Sequence, residues 1–249
     1  MDGRNLVFFA SDIHLGLEVG DPVEREARFV RFLRGIPVER TEALYLLGDV
    51  WDFWYEYRDV VPKGYVRVFT ALMDLIEAGV QVFVCPGNHD MWMYSYLQSM
   101  GIKVVDQPLV VEHSGKLFCL GHGDGLGPGL RSYKMMKAVL RNGAVRRLFS
   151  MLHPWIAFRI ARGWSRGSRL SHNEKYRFKG EQEPLYQYAE AYSRERKVDY
   201  FIFGHYHCPV DMPLGNGARF LVLGDWIDSS DYLYFNGISV LTGHSMKTE

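Results

Sequence analysis

Leu6-Val7-Phe8-Phe9-Ala10-Ser11-Asp12-Ile13-His14 sets the pattern for the chain: an apolar run that stops abruptly on Asp-x-His. The run Leu6 to Ala10 is too short for the apolar region of a secretory leader and well suited to a buried strand. The same format, a strand ending in a tight turn that bears Asp, Asn or His, returns four times. It appears as Leu46-Leu47-Gly48-Asp49, Cys85-Pro86-Gly87-Asn88-His89-Asp90, Leu120-Gly121-His122-Gly123-Asp124 and Phe203-Gly204-His205-Tyr206-His207. Any one of these is an ordinary polar turn. Five in series, each closing a strand, are not.

Helical patterns alternate with the first three strands. Val23, Ala27, Val30 and Leu33 fall near one helical face, and Phe69, Leu72, Met73 and Ile76 follow the i, i+3, i+4, i+7 spacing. With strands at Leu6 to Ala10, Ala43 to Leu47 and Val80 to Val84, this order predicts βαβ units and a parallel sheet. Later strands are predicted at Lys116 to Leu120, Tyr200 to Phe203, Phe220 to Leu223 and Tyr232 to Leu241. A helix from Pro184 to Arg196 presents Leu185, Tyr188, Ala189 and Tyr192. The expected fold is an α/β sandwich of two sheets with flanking helices. Strand ends in such sheets converge on one crevice, and glycine beside each polar residue is expected to supply the positive φ of the turn.

Hydrophobic residues make up 47% of the 249 and charged residues 23%, enough for a proper core. The formal net charge is zero, which argues against a general polyanion binder. From Leu126 to Gly180, however, stand 13 Lys or Arg and one acid, Glu174, a local +12 offset by −12 elsewhere. Such asymmetry points to an anionic partner at one face. Cys85, Cys119 and Cys208 are widely spaced and read as buried free thiols of a reducing compartment. No apolar stretch nears the roughly 20 residues of a spanning helix. These features predict a cytoplasmic protein with no leader.

Imidazoles mixed with carboxylates and an amide oxygen, with no thiolate, suit a pair of divalent ions such as Mn²⁺, Fe²⁺ or Zn²⁺. The five motifs resemble those of the calcineurin-like metallophosphoesterase superfamily, Asp-x-His, Gly-Asp, Gly-Asn-His-Asp, Gly-His and Gly-His-x-His, across Asp12 to His207. That resemblance implies a four-layer α/β/β/α sandwich with a helical lid insertion, here a basic cap at about 126–180 within a single domain 1–249. It implies two metal ions, expected to be Mn²⁺. Asp12, His14 and His207 would hold one, Asn88, His122 and His205 the other, and Asp49 would bridge them. It also implies hydrolysis at phosphorus. His89 would donate a proton to the leaving oxygen, and Asp90 would orient His89.

Within that superfamily, Leu44 to Trp54 with its aromatic extension, Leu223-Gly224-Asp225-Trp226 and the long insertion after His122 resemble the UDP-2,3-diacylglucosamine hydrolases, pyrophosphatases of lipid A synthesis. Many of those carry arginine where this chain has His89, and an acidic pair where it has Gly127-Pro128-Gly129. The resemblance implies a nucleotide–glycolipid substrate cleaved to UMP and 2,3-diacylglucosamine 1-phosphate, and peripheral association with the cytoplasmic face of the inner membrane. Arginines 146, 147, 159, 162, 166 and 169 interleave with apolar residues including Trp155, a composition suited to a lipid interface or to gripping phosphates. Asp52, Arg166, Ser168, Arg169, Lys175, Arg177 and Lys179 are candidate substrate contacts, Asp52 by orienting the site. Nucleic acid is the rival anionic partner. The near-neutral whole-chain pI, about 7.1, and the confinement of basic charge to one apolar-rich segment oppose it. A phosphoesterase of broad specificity and an inactive protein-binding scaffold stay open alternatives, although an intact donor set argues against the second. The sequence leaves the oligomeric state open.

Overall fold

Two sheets carry the five motif loops. In the computed structural model, which describes residues 3–170 and 176–245, with side chains at 162 and 164–170 outside that description, the first sheet has the order β11-β10-β1-β2-β3-β4. Its strands β1 (Leu6–Ala10), β2 (Thr41–Leu47), β3 (Gln81–Cys85) and β4 (Lys103–Val104) run parallel. The other two, β10 (Asp231–Phe235) and β11 (Val240–His244), pair antiparallel along the β1 edge. The second sheet has the order β5-β6-β7-β9-β8. There β6 (Lys116–Leu120), β7 (Tyr200–Phe203) and β9 (Arg219–Val222) are parallel, with β5 (Leu109–His113) and β8 (Val210–Pro213) as antiparallel edges. Each motif follows the C-terminal end of a parallel strand: β1, β2 and β3 in one sheet, β6 and β7 in the other.

Three apolar layers hold the sandwich. Helices α1 (Pro22–Gly35) and α2 (Val66–Glu77) cover the outer face of the first sheet. Phe9, Tyr45, Phe118, Tyr200 and Phe235 fill the space between the sheets. Leu185, Tyr186 and Ala189 of a helix spanning Pro184–Glu195 pack on Phe201, Phe203 and Phe220 of the second sheet. This is the four-layer α/β/β/α arrangement. Phe118 lies at its centre, stacked 5.0 Å from Tyr200 and 5.8 Å from Phe9.

Three predicted features differ. The buried face of α1 includes Val30 and Leu33 as expected but not Val23, which is exposed, and adds Arg25, Arg28, Phe29 and Phe32. Arg25 donates to the carbonyls of His14 and Leu17 at 2.9 and 3.1 Å and also to that of Val19; Arg28 donates to those of Trp226 and Ser229. Long arginine stems bury as readily as apolar residues when the guanidinium finds acceptors, so an apolar count misreads such a face. The single strand expected from Tyr232 to Leu241 is two, broken at Asn236-Gly237, where Gly237 has φ 88°. Asn-Gly between alternating residues is turn chemistry. Among the cysteines, Cys85 and Cys119 are buried and free, while Cys208 is half-buried rather than buried.

After the short helix α3 (Tyr96–Ser99), three helices occupy the basic segment: α4 (Arg131–Arg141), α5 (Gly143–Ser150) and α6 (Pro154–Leu170). They sit on the aromatic extension that follows β2. Trp51 and Trp54 turn into the core beneath α2, against Phe69, while Phe53 and Tyr55 face the added helices. Phe53 meets Phe158 at 5.2 Å, Tyr55 meets Phe149 at 4.8 Å, and Trp92 Nε1 donates to Leu140 O at 3.0 Å. Since Phe118 has no solvent exposure, Phe118→Ala should destabilise the protein by about 3–5 kcal/mol. The urea midpoint would fall with an unchanged m-value.

Candidate metal centre

Backbone hydrogen bonds zip the first two motif loops together. Asp12 N donates to Gly48 O, His14 N to Asp49 O and Leu15 N to Val50 O, at 2.9–3.0 Å. Asp12, His14, Asp49, His205 and His207 all take positive φ, between 49° and 74°, and among the described residues only Tyr65 and Ser114 share this among non-glycines. Left-handed conformations concentrated in this way mark a strained, over-determined site. The positive φ is thus taken by the polar residues themselves as well as by Gly48 and Gly123, at 86° and 104°. The main task of Gly87 and Gly204 is close approach: a Cβ on Gly87 would collide with Asp49, and one on Gly204 with Asp12 and Ser11.

Side chains from the five loops converge. His14 Nε2 lies 3.3 Å from His207 Nε2, 3.8 Å from Asp49 Oδ2 and 3.9 Å from Asp12 Oδ1, and His207 Nε2 is 3.3 Å from Asp12 Oδ1. Donor atoms of these four residues lie within 4.8 Å of one another. On the other side, His122 Nε2 is 3.4 Å from Asp49 Oδ2 and 3.1 Å from Asn88 Oδ1, and the His205 ring lies 5.1 Å from that of His122. Asp49 therefore faces both halves.

The imidazoles are aimed by what holds their Nδ1 atoms. His122 Nδ1 donates to Leu47 O at 3.0 Å and His207 Nδ1 to Asp225 Oδ2 at 3.2 Å. His14 Nδ1 lies 3.4 Å from Asp52 Oδ1. Each arrangement turns Nε2 inward, as an outer partner does for a metal-binding histidine. Burial pushes the His14 imidazole down to about 3 and that of His205 to about 4, leaving both rings neutral with lone pairs available. Burial alone would raise the Asp49 carboxyl, but the imidazoles of His122, His89 and His14 hold it well below the usual carboxylate range. Asp12 Oδ2 accepts from Ser11 Oγ and His205 N, whereas Oδ1 is buried without a hydrogen-bond partner. A buried carboxylate oxygen, two facing imidazole nitrogens and a shared second carboxylate fit divalent cations.

Asp90 has a different place from the one expected. Its carboxylate accepts the backbone N–H groups of Val50 and Gly87 at 2.8 Å, with Asp49 and Trp51 at 3.3 Å, and so ties the second loop to the third. His89 instead donates from Nδ1 to Asp52 O at 3.1 Å. With Oδ1 3.7 Å from His89 Nδ1, Asp52 thus stands between His14 and His89 and positions both. Asp225 has no role in the sequence pattern beyond its motif; a carboxylate three residues past the end of β9 is the signal that marks it.

A cavity of about 580 Å³ opens beside this centre, lined by Asp52, Asn88, His89 and His205 on the sandwich and by Met136, Leu140, Arg146, Phe149 and Ile160 on the added helices. Arg177 and Lys179 are exposed and are not among its lining residues. The side chains of Arg166, Ser168 and Arg169, and the whole of Lys175, lie outside the described residues.

The family model for calcineurin-like phosphoesterases matches residues 6–209. The chain belongs to this family. Among similar proteins, a UDP-2,3-diacylglucosamine hydrolase of Porphyromonas gingivalis is 38% identical over 96% of this phosphoesterase and 97% of its own length. One from Salmonella arizonae is 30% identical over 88% and 90%. The solved structure of TT1561 from Thermus thermophilus shares the phosphoesterase's fold, with TM-score 0.51, 12% identity, and coverage of 98% of this chain and all of that one.

Asp225 sets the direction of His207, so Asp225→Asn should weaken divalent-metal affinity roughly 10- to 100-fold in a binding titration. Asparagine keeps an oxygen for the Ile227 and Asp228 N–H groups that Asp225 accepts. Unchanged affinity would reduce Asp225 to a turn residue.

Proposed function

We propose that the protein hydrolyses the diphosphate of UDP-2,3-diacylglucosamine, releasing UMP and 2,3-diacylglucosamine 1-phosphate. The reading is carried by the Asp49 carboxylate, faced by imidazoles from both sheets beside a largely apolar cavity. The names of its two relatives agree with it. In this reading Asp12, His14 and His207 hold one divalent cation, Asn88, His122 and His205 a second, and Asp49 lies between. Mn²⁺ is the assigned ion, and Fe²⁺ or Zn²⁺ suits the same donors. When bound, such cations supply Lewis acidity at phosphoryl oxygens and make water a stronger nucleophile.

The chain's own residues do the rest. His89 lines the cavity, and its Nδ1–H is held by Asp52 O, so proton transfer to a leaving oxygen falls to Nε2. Apolar walls from Phe53, Trp92, Leu140 and Phe149 suit acyl chains and exclude water. We read the whole chain as one domain, with the segment 126–180 as its cap. No helix among the described residues is long and apolar enough to cross a membrane. The cap nonetheless exposes Met135, Leu148, Met151, Trp155 and Ile160 among basic residues. This composition favours peripheral binding to anionic lipid.

Purified protein loaded with Mn²⁺ is expected to release UMP from the lipid nucleotide, and Asp49→Asn to release none. His89→Ala should lower kcat about 100-fold or more with metal content intact; loss of both would make His89 a structural residue. No UMP release, with turnover of an aryl phosphodiester retained, would remove the lipid substrate but keep the phosphoesterase chemistry. Pelleting with anionic vesicles should weaken as salt rises; salt-independent pelleting would count against the membrane reading.

A further inference from the structure

The cavity beside the metal centre contains a positive charge with no carboxylate counter-ion among the described residues. Arg146 is the sole lysine or arginine among its described lining residues. Its main chain is fixed, because Tyr55 Oη donates to Arg146 O at 3.0 Å. Its guanidinium lies over the Tyr94 ring, 4.0 Å from the centroid. That ring is itself anchored: one carboxylate oxygen of Glu56 accepts the backbone N–H groups of Tyr94, Ser95 and Tyr96 at 2.8, 2.7 and 3.1 Å. Stacking on an aromatic face occupies the flat side of a guanidinium and leaves its N–H edge pointing outward.

Among the described residues no carboxylate takes that edge. The ion-paired arginines among the described residues are Arg31, Arg58, Arg141, Arg194 and Arg219, and Arg146 is not one of them. Asp52 is the one carboxylate among the described residues lining the cavity, and it is turned to the Nδ1 atoms of His14 and His89. A half-buried guanidinium in a mostly apolar cavity, set over an aromatic ring and without a carboxylate partner among the described residues, is completed by an anionic oxygen of the ligand.

We propose that Arg146 binds the phosphate of a diphosphate substrate that is not attacked, and so selects diphosphates over simple phosphodiesters. The proposal rests on the functional reading above. The metal centre takes the scissile phosphate, and the second, one bridging oxygen away, is the nearest remaining anion in any such substrate. A planar fork of donors matches its paired oxygens, which an ammonium does less well.

The test compares steady-state kinetics on detergent-dispersed UDP-2,3-diacylglucosamine and on bis(4-nitrophenyl) phosphate, which has no second phosphate. Arg146→Met should raise KM for the diphosphate roughly 10- to 100-fold, with a smaller change in kcat. The ratio of kcat/KM for the two substrates should fall at least about tenfold. Arg146→Lys should recover part of that ratio, and Arg67→Met, on the far helix α2, should leave it unchanged. Melting temperature and metal content report folding, and Arg146→Lys decides the matter if the methionine variant does not fold. A folded variant with an unchanged ratio overturns the role of Arg146 alone. Wild-type protein inactive on the diphosphate overturns the functional reading and this proposal together.

Discussion

Two buried carboxylates constrain everything else in this molecule. Asp12 and Asp49 are almost without solvent exposure. Burying such charges costs several kcal/mol each unless partners replace water. The partners come from every part of the sandwich. Ser11 and the His205 amide serve one oxygen of Asp12, the His89 amide serves one oxygen of Asp49, and imidazoles from both sheets face the remaining oxygens. Packing donors this closely forces the backbone into left-handed turns at five of the polar residues. It also forbids a side chain where Gly87 and Gly204 pass beneath the carboxylates.

A second ring of contacts keeps those turns in place. Arg25 caps the carbonyls behind His14, and Arg28 secures the segment carrying Asp225 and Trp226. Asp90 collects amides from two loops at once. The added helices are attached to the same centre. Asp124, two residues after His122, accepts Tyr133 Oη at 2.9 Å and Lys137 Nζ at 2.5 Å, both from α4, and Gln107 Nε2 at 2.7 Å. These contacts tie α4 of the cap to the His122 loop at one side of the cavity. Its aromatic floor has two faces, since Trp51 and Trp54 serve the core while Phe53 and Tyr55 serve the cap.

The sequence by itself determined the strands that carry the chemistry and the donors at their ends. Leu6 to Ala10, Lys116 to Leu120 and Tyr200 to Phe203 match the observed strands because an apolar run stopped by a polar turn has one economical conformation. Tertiary structure decided the rest. Asp90 stands beside His89 in the chain, yet its carboxylate points to amides of another loop, because four unpaired N–H groups are stronger claimants than an imidazole already held by Asp52 O. Arg25 and Arg28 look like a solvent face and are buried, since only folding brings carbonyls to them. Arg146 is one of many basic residues in its segment until Tyr94 and the cavity single it out. Local pattern fixes which residues end a strand; partners distant in sequence fix where a charged group points, because its energy depends on what replaces its water.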